Sequence, residues 1–189
     1  MKIRFASVKD SAELLNIYSQ YIDTPITFEH KLPSLQEFSK RISDISAIYP
    51  YLILEDDEEI IGYAYANRHM QREAYGWNAV LSIYLSSSST SKGMGKKLYS
   101  TLIDILKLQG IINVYAGVTV PNLKSEKLHS SLGFKVIGTY HNTGFKCGKW
   151  HDVVWFEKSI SNYEQLPSPI KQVCALSKEE VHAILAKYI

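Results

Sequence analysis

The sequence predicts an α/β (α+β) fold, a mixed β-sheet with helices on both faces. Strand-like and helix-like runs follow one another in the order β-α-α-β-β-β-α-β-α-β-β. Strands and helices alternate through the second half, which calls for at least one parallel connection and for helices packed on the sheet. The chain of 189 residues, 46% of them apolar and 21% charged, is long enough to bury a core of its own.

Each element has its own signal. Residues 2–6, KIRFA, alternate polar and apolar side chains as a short strand does. Ser7 precedes Asp10 at the spacing of a capping box. The helix that follows carries Leu14, Leu15, Ile17, Tyr18, Tyr21 and Ile22 on one period. DTPITFEHKLP reads as a loop by its Pro and Asp content. Ser34 and Glu37 repeat the cap before a second helix bearing Leu35, Phe38, Ile42 and Ile45. YLILE and IIGYAYANRHM are strands joined by the acidic tip DDEE, and NAVLSIYL is the next strand. Leu98, Tyr99, Leu102, Ile103, Ile105 and Leu106 define a helix closed by Gly110, a residue suited to the left-handed turn after a helix end. IINVYAGV is apolar enough for a strand covered on both faces. PNLKSEKLHSSLGF gives a short helix closed by Gly133, and FKVIGTYHNTGFK and WHDVVWFEK are the last two strands.

A break at QLPSPIK separates residues 1–160, the expected domain, from residues 161–189. The latter read as a flexible Pro-containing connector and a C-terminal helix capped by Ser177 and Glu180, suited to docking or dimer contact.

Composition narrows the function. Twenty-one basic and 19 acidic residues leave a net charge of +2, which argues against a nucleic-acid partner. Cys147 and Cys174 are far apart with no CxxC spacing, so no metal site is expected. No apolar run approaches the length of a membrane span, and MKIRFASVKD has no leader-like core. The expectation is a cytoplasmic protein with no membrane partner.

The stretch AVLSIYLSSSSTSKGMGKKLY carries the chemistry. A strand runs into a glycine-containing loop that opens a helix. The first amides of a helix have no partner within it, the helix dipole adds positive character there, and glycine lets a phosphate approach the backbone. Lys92, Lys96 and Lys97 add charge beside Gly93 and Gly95. The nucleotide-binding patterns GxxxxGK[ST] and GxGxxG are both absent.

In order along residues 2–158, the segments IRFASVKD, TFE, GYAYA, SIYL, GMGKKLY, VYAGV, LHSSLGF, GTYHNTGFK and GKWHDVVWF resemble the GNAT N-acetyltransferases, within them the phosphinothricin acetyltransferase-like group. The resemblance implies a mostly antiparallel sheet splayed between its fourth and fifth strands, with acetyl-CoA as co-substrate and no metal. It places the pyrophosphate on Ser91, Lys92, Gly93, Met94, Gly95 and Lys96, and the pantetheine arm along Ile83, Tyr84 and Leu85. Asn122 and Ser131 follow as cofactor contacts. His129 and Tyr99 are the implied catalytic pair. Phe28, Glu29 and Arg72 line the implied acceptor site for a small-molecule amine of amino-acid type. A homodimer is also implied.

The sequence departs from the group at two places. Thr90 stands at the first loop position, where Gln or Arg is usual. Val80 stands where the group has a glutamate base on the fourth strand, and a valine accepts no proton. That leaves a second expectation, an acyl-CoA-binding module weakened in catalysis. A third, a protein or nucleic-acid acetyltransferase, lacks a basic docking tract. His151 and Asp152 occupy adjacent strand positions and point to opposite faces, so they are read as structural or dimer-facing rather than as a catalytic pair.

Overall fold

The computed structural model describes residues 1–90 and 93–189. These build seven strands, β1 (Lys2–Phe5), β2 (Tyr51–Asp56), β3 (Glu59–Arg68), β4 (Asn78–Leu85), β5 (Asn113–Val120), β6 (Lys135–Lys146) and β7 (Lys149–Ser159). Five helices accompany them, α1 (Ser11–Ser19), α2 (Leu35–Ser46), α3 (Met94–Gln109), α4 (Leu123–Ser131) and α5 (Lys178–Lys187). The strands form one sheet in the order β1-β2-β3-β4-β5-β7-β6. All neighbours are antiparallel except β4 and β5. The expected element order and sheet class are observed.

Alternation along the strands sorts side chains to two faces. One face carries Leu52, Leu54, Ala64, Ala66, Ala79, Leu81, Val114, Ala116 and Phe156 and packs on the apolar stripe of α3, Leu98, Leu102, Ile105 and Leu106. The other carries Tyr51, Ile53 and Tyr63 and packs on Leu14, Ile17 and Tyr18 of α1 and Phe38 and Ile42 of α2. The tyrosines of the second face stack in a row, with the Tyr51 and Tyr65 ring centroids 4.7 Å apart.

Local signals behave as read. Asp10 accepts hydrogen bonds from the Ser7 amide and hydroxyl and pairs with Arg4, closing a single turn of 3-10 helix that leads into α1. Ser34 and Glu37 cap α2 reciprocally. Asp57 and Glu58 take positive φ values of 47° and 66° at the acidic tip between β2 and β3. The Gly110 φ of 90° ends α3.

The segment after residue 160, expected as a flexible connector, lies against the rest of the chain. Leu176 is buried with the α3 core, Lys187 and Tyr188 both bond Asp104 of α3, and the Gln109 side chain donates to the Lys171 carbonyl. The Trp77 indole donates to the Ser168 carbonyl. Leu176 and the half-buried Val181, Ile184 and Leu185 need the apolar face that α3 offers. Among the described residues no helix is long and apolar enough to cross a membrane.

Candidate active site

β4 and β5 pair only at Asn78/Asn113, Ala79/Val114 and Val80/Tyr115. β4 continues to Leu85 on β3, and β5 continues to Val120 on β7. The two strands therefore part beyond Val80 and Tyr115 and leave a wedge in the sheet. The Ser86 amide bonds the Ile61 carbonyl. Bonded pairs in an antiparallel ladder recur every second residue. Val80, Ser82 and Tyr84 thus spend their peptide groups on β3, while Ile83 and Leu85 turn theirs toward the wedge. At Leu85 the Tyr21 hydroxyl donates to the carbonyl and accepts from the amide, 3.2 Å away.

The helix α3 begins at the mouth of this wedge. Gly93 is its N-cap with a φ of 79°, a left-handed conformation that favours glycine. A Cβ on Gly95 would meet Leu128 of α4 at 3.3 Å and Ile83 and Leu85 of β4 at 3.5 Å, so glycine here lets the helix start close to the strand. The Met94 and Gly95 amides open α3 ahead of the Lys96 amide, which donates to the Gly93 carbonyl at 3.1 Å, and the dipole of the helix adds positive character there. Ser91 and Lys92 lie outside the described residues. The strand peptide groups, the unpaired helix amides and the glycine packing fit a phosphorylated, amide-bearing ligand such as acetyl-CoA.

Asn122 caps α4, its side chain accepting from the Ser125 amide at 3.2 Å. The Ser131 hydroxyl, exposed at the end of α4, donates to the Leu128 carbonyl. Of Ile83, Tyr84 and Leu85, Ile83 and Leu85 turn their peptide groups toward the wedge, and those of Leu85 bond the Tyr21 hydroxyl. The Tyr84 side chain sits in the tyrosine layer, edge-on to Tyr18 and Tyr21.

The expected catalytic pair falls elsewhere. His129 is 2% exposed and Tyr99 1%. The His129 ring is enclosed by Tyr99, Phe134 and Phe156, and its Nδ1 meets the Ser125 carbonyl at 2.7 Å. Phe156 is paired with Ala116, next to the Tyr115 register, so it lies on the face opposite Tyr115 and Val80. Burial pushes the Tyr99 hydroxyl well above the usual tyrosine range and lowers the His129 pKa, against a smaller opposing effect of the Ser125 carbonyl. Both are core residues in this conformation, and the helical stripe of α3 that includes Tyr99 is the reason.

The other face of the wedge holds the groups suited to an acceptor. The TFE loop is tied down over it. Lys146, buried at the end of β6, donates to the carbonyls of Thr27 and Glu29 at 2.6 and 2.7 Å. The Tyr18 and Thr27 hydroxyls bond at 2.6 Å, and Phe28 lies so closely over Gly144 that a Cβ there would clash with its ring. Glu29 pairs with Arg41 at 2.5 Å, its charge felt by Tyr18 and Tyr65. Arg41, Tyr65, Asn67, Arg68 and Trp77 line a cavity of about 960 Å³ closed on one side by Pro169 and Ile170. Arg72 is exposed at the start of a 3-10 turn and does not line that cavity; Arg41 and Arg68 are its cations. Sequence reasoning missed Arg41, Lys146 and Tyr21. Arg41 sits one helical turn from Phe38 of α2, and only the assembled fold turns it toward Glu29. His151 is buried, bonding the Lys146 carbonyl, and Asp152 pairs with His141, on opposite faces as expected.

A family model described as "Acetyltransferase (GNAT) domain" matches residues 3–155. The chain belongs to the GNAT acetyltransferases. It is 32% identical over 174 residues to the phosphinothricin N-acetyltransferase of Streptomyces viridochromogenes, covering 92% of this chain and 93% of that one. It is 28% identical over 171 residues to the L-methionine sulfoximine/L-methionine sulfone acetyltransferase of Salmonella typhimurium, covering 86% and 96%. Among solved structures, a GNAT superfamily phosphinothricin acetyltransferase from Sinorhizobium meliloti in complex with AcCoA superposes with a TM-score of 0.83 at 31% identity, covering 90% of this chain and 97% of that one. The mostly antiparallel sheet of this GNAT chain superposes on the fold of that neighbour, which is solved in complex with acetyl-CoA.

Two outcomes follow for the site of this GNAT chain. Replacing Lys146 with Met removes the tether of the TFE loop; the KM for the acceptor amine should rise roughly tenfold or more while acetyl-CoA affinity measured by calorimetry stays within twofold. For His129, the folded chain holds a neutral imidazole below its ordinary value of 6.5, where the unfolded chain's is protonated. The unfolded state then binds more protons, so stability is lost as pH falls through that value. His69, also lowered by burial, acts with the same sign. His129→Leu should flatten the fall in Tm between pH 7 and 5, read by thermal unfolding; an unchanged slope would contradict the buried neutral ring.

Proposed function

We propose that this chain transfers the acetyl group of acetyl-CoA to the primary amine of a small amino-acid-like acceptor. The observation that carries the reading is the wedge between β4 and β5 with the N-terminus of α3 at its mouth. The relatives acting on phosphinothricin and on methionine sulfoximine support an acceptor that is an amino-acid analogue. In this reading the α3 amides and the residues Gly93, Met94, Gly95 and Lys96 receive the pyrophosphate, with Ser91 and Lys92 continuing the loop, and Asn122 and Ser131 flank the cofactor from α4. Ile83, Tyr84 and Leu85 border the pantetheine arm. The acetyl carbon comes to the apex at Val80 and Tyr115, where a β4 amide holds the developing negative charge on the carbonyl oxygen.

The acceptor enters on the opposite side, between the TFE loop and the tyrosine layer. Phe28 and Glu29 border it, and Arg41 is better placed than Arg72 to meet an acceptor carboxylate, since it lines the cavity with Tyr65 and Asn67. Charge-assisted bidentate pairing with a carboxylate is what a guanidinium is built for. Residues 1–160 form the catalytic domain and the remainder a buttress for α3 and the cavity wall. We further read the protein as a cytoplasmic homodimer, in line with the exposed Val136, Tyr140, Phe145 and Trp150 on the β6–β7 hairpin.

Val80 favours a second reading, a module that binds acetyl-CoA and turns over little. A thiol-trapping assay of CoA release separates the two, run on phosphinothricin, methionine sulfoximine, methionine sulfone and free amino acids. At least one should release CoA well above the amine-free rate. Micromolar acetyl-CoA binding with no release on any amine would establish the binding module instead.

A further inference from the structure

We infer that His69 is the proton acceptor that stands in for the missing carboxylate at Val80, an assignment that rests on the acetyltransferase reading. The placement follows from the register. Val80 is flanked by Asn67 on β3 and by Tyr115 on β5, and it is the last paired position before the wedge opens. His69 follows Arg68, the last residue of β3, and its ring is turned to the face that carries Val80 and Tyr115. Its ring stacks on that of Tyr115, with centroids 4.2 Å apart and planes 11° from parallel. Trp155 closes the corner edge-on at 5.9 Å, and it stands over Gly117, which leaves room for its ring. The imidazole is thereby held beside the apex, on the acceptor face, at the neighbour of the residue that replaces the base.

Other titratable groups at this corner are less suited. Tyr115 has its pKa pushed up to about 12, first by burial and then by its hydrogen bond to the Glu157 carboxylate. Glu157, its cross-strand partner on β7, is engaged in that bond. Glu29 is committed to Arg41. Arg68, the chain neighbour of His69, takes no proton at neutral pH. His129 is on the other face of the sheet. His69 is half-buried, and burial alone lowers its pKa below 6.5, so the ring is neutral and able to accept a proton at pH 7.

The step balances with the two substrates already named. The acceptor ammonium gives a proton to a neutral ring nitrogen of His69, directly or through one water. The freed nitrogen lone pair forms the C–N bond to the acetyl carbon. The C–S bond breaks with its electron pair going to sulfur, and the His69 imidazolium returns the proton to the thiolate. The acylated nitrogen sheds its second proton to water, so amide, thiol and one proton leave and His69 is neutral again.

His69→Phe keeps an aromatic ring on Tyr115 and removes the base. It should lower kcat about 10²-fold at pH 7, the low end for a positioned base, with acetyl-CoA affinity by calorimetry unchanged. The wild-type kcat/KM profile should show an acidic limb below pH 6.5 that the variant loses. Carbon-13 NMR of the histidine rings, in enzyme without acetyl-CoA, should give His69 a pKa matching that limb. Adding Val80→Glu to His69→Phe should recover at least tenfold of the lost kcat. Wild-type kcat and an unchanged pH profile in His69→Phe would overturn the assignment, as would a raised KM with kcat intact or a ring pKa away from the limb. Wild-type enzyme that binds acetyl-CoA but releases CoA with no amine would overturn the transferase reading, and this assignment with it.

Discussion

The molecule depends on a ladder that stops. Three parallel pairs join β4 to β5, while each strand continues for several residues on its other neighbour, β3 or β7. Both halves of the sheet are anchored by long antiparallel ladders and by buried apolar faces. The strands can therefore diverge past Val80 and Tyr115 without unfolding the sheet. Peptide groups left in the gap need partners, since unpaired backbone polar groups inside a fold are costly. Tyr21 supplies one at Leu85. A ligand carrying amides and a pyrophosphate meets that demand together with the unpaired amides of α3.

Two faces of one sheet then separate two tasks. The face under α3 and α4 is an apolar core into which His129 and Tyr99 are packed. The face under α1 and α2 carries the tyrosine layer, the Glu29–Arg41 pair and His69. The loop over that face is held by the buried Lys146, whose ammonium meets two loop carbonyls. The C-terminal segment, bonded to Trp77, Gln109 and Asp104, closes the cavity from the far side. Carbonyl partners make a buried ammonium tolerable, since burial without them is costly.

Much of this was legible in the sequence. Period, caps and glycine positions located every strand and helix, because those signals are local. The glycines at 93 and 95 marked the start of α3 for the same reason. Which side chains face the wedge was not legible in that way. The resemblance carried His129 by position along α4, but exposure is set by which face the helix turns inward, and here Phe134 and Phe156 enclose the ring. Tyr99 lay on the stripe with Leu98, Leu102 and Leu106, a pattern that by itself indicated the core. Lys146, Tyr21 and His69 act across 117, 64 and 46 residues of chain (69 to 115), beyond the reach of any local pattern. The tail after residue 160 was read from its prolines as a connector, whereas Leu176 and the apolar side of α5 hold it to α3.

The most direct test of the wedge as the acetyl-CoA site is amide hydrogen exchange with and without acetyl-CoA, resolved to single residues. Slowed exchange should concentrate at Ile83 on β4 and at Met94 and Gly95 at the start of α3, with the β6–β7 hairpin unchanged. Protection that leaves these amides untouched and appears elsewhere would contradict the site.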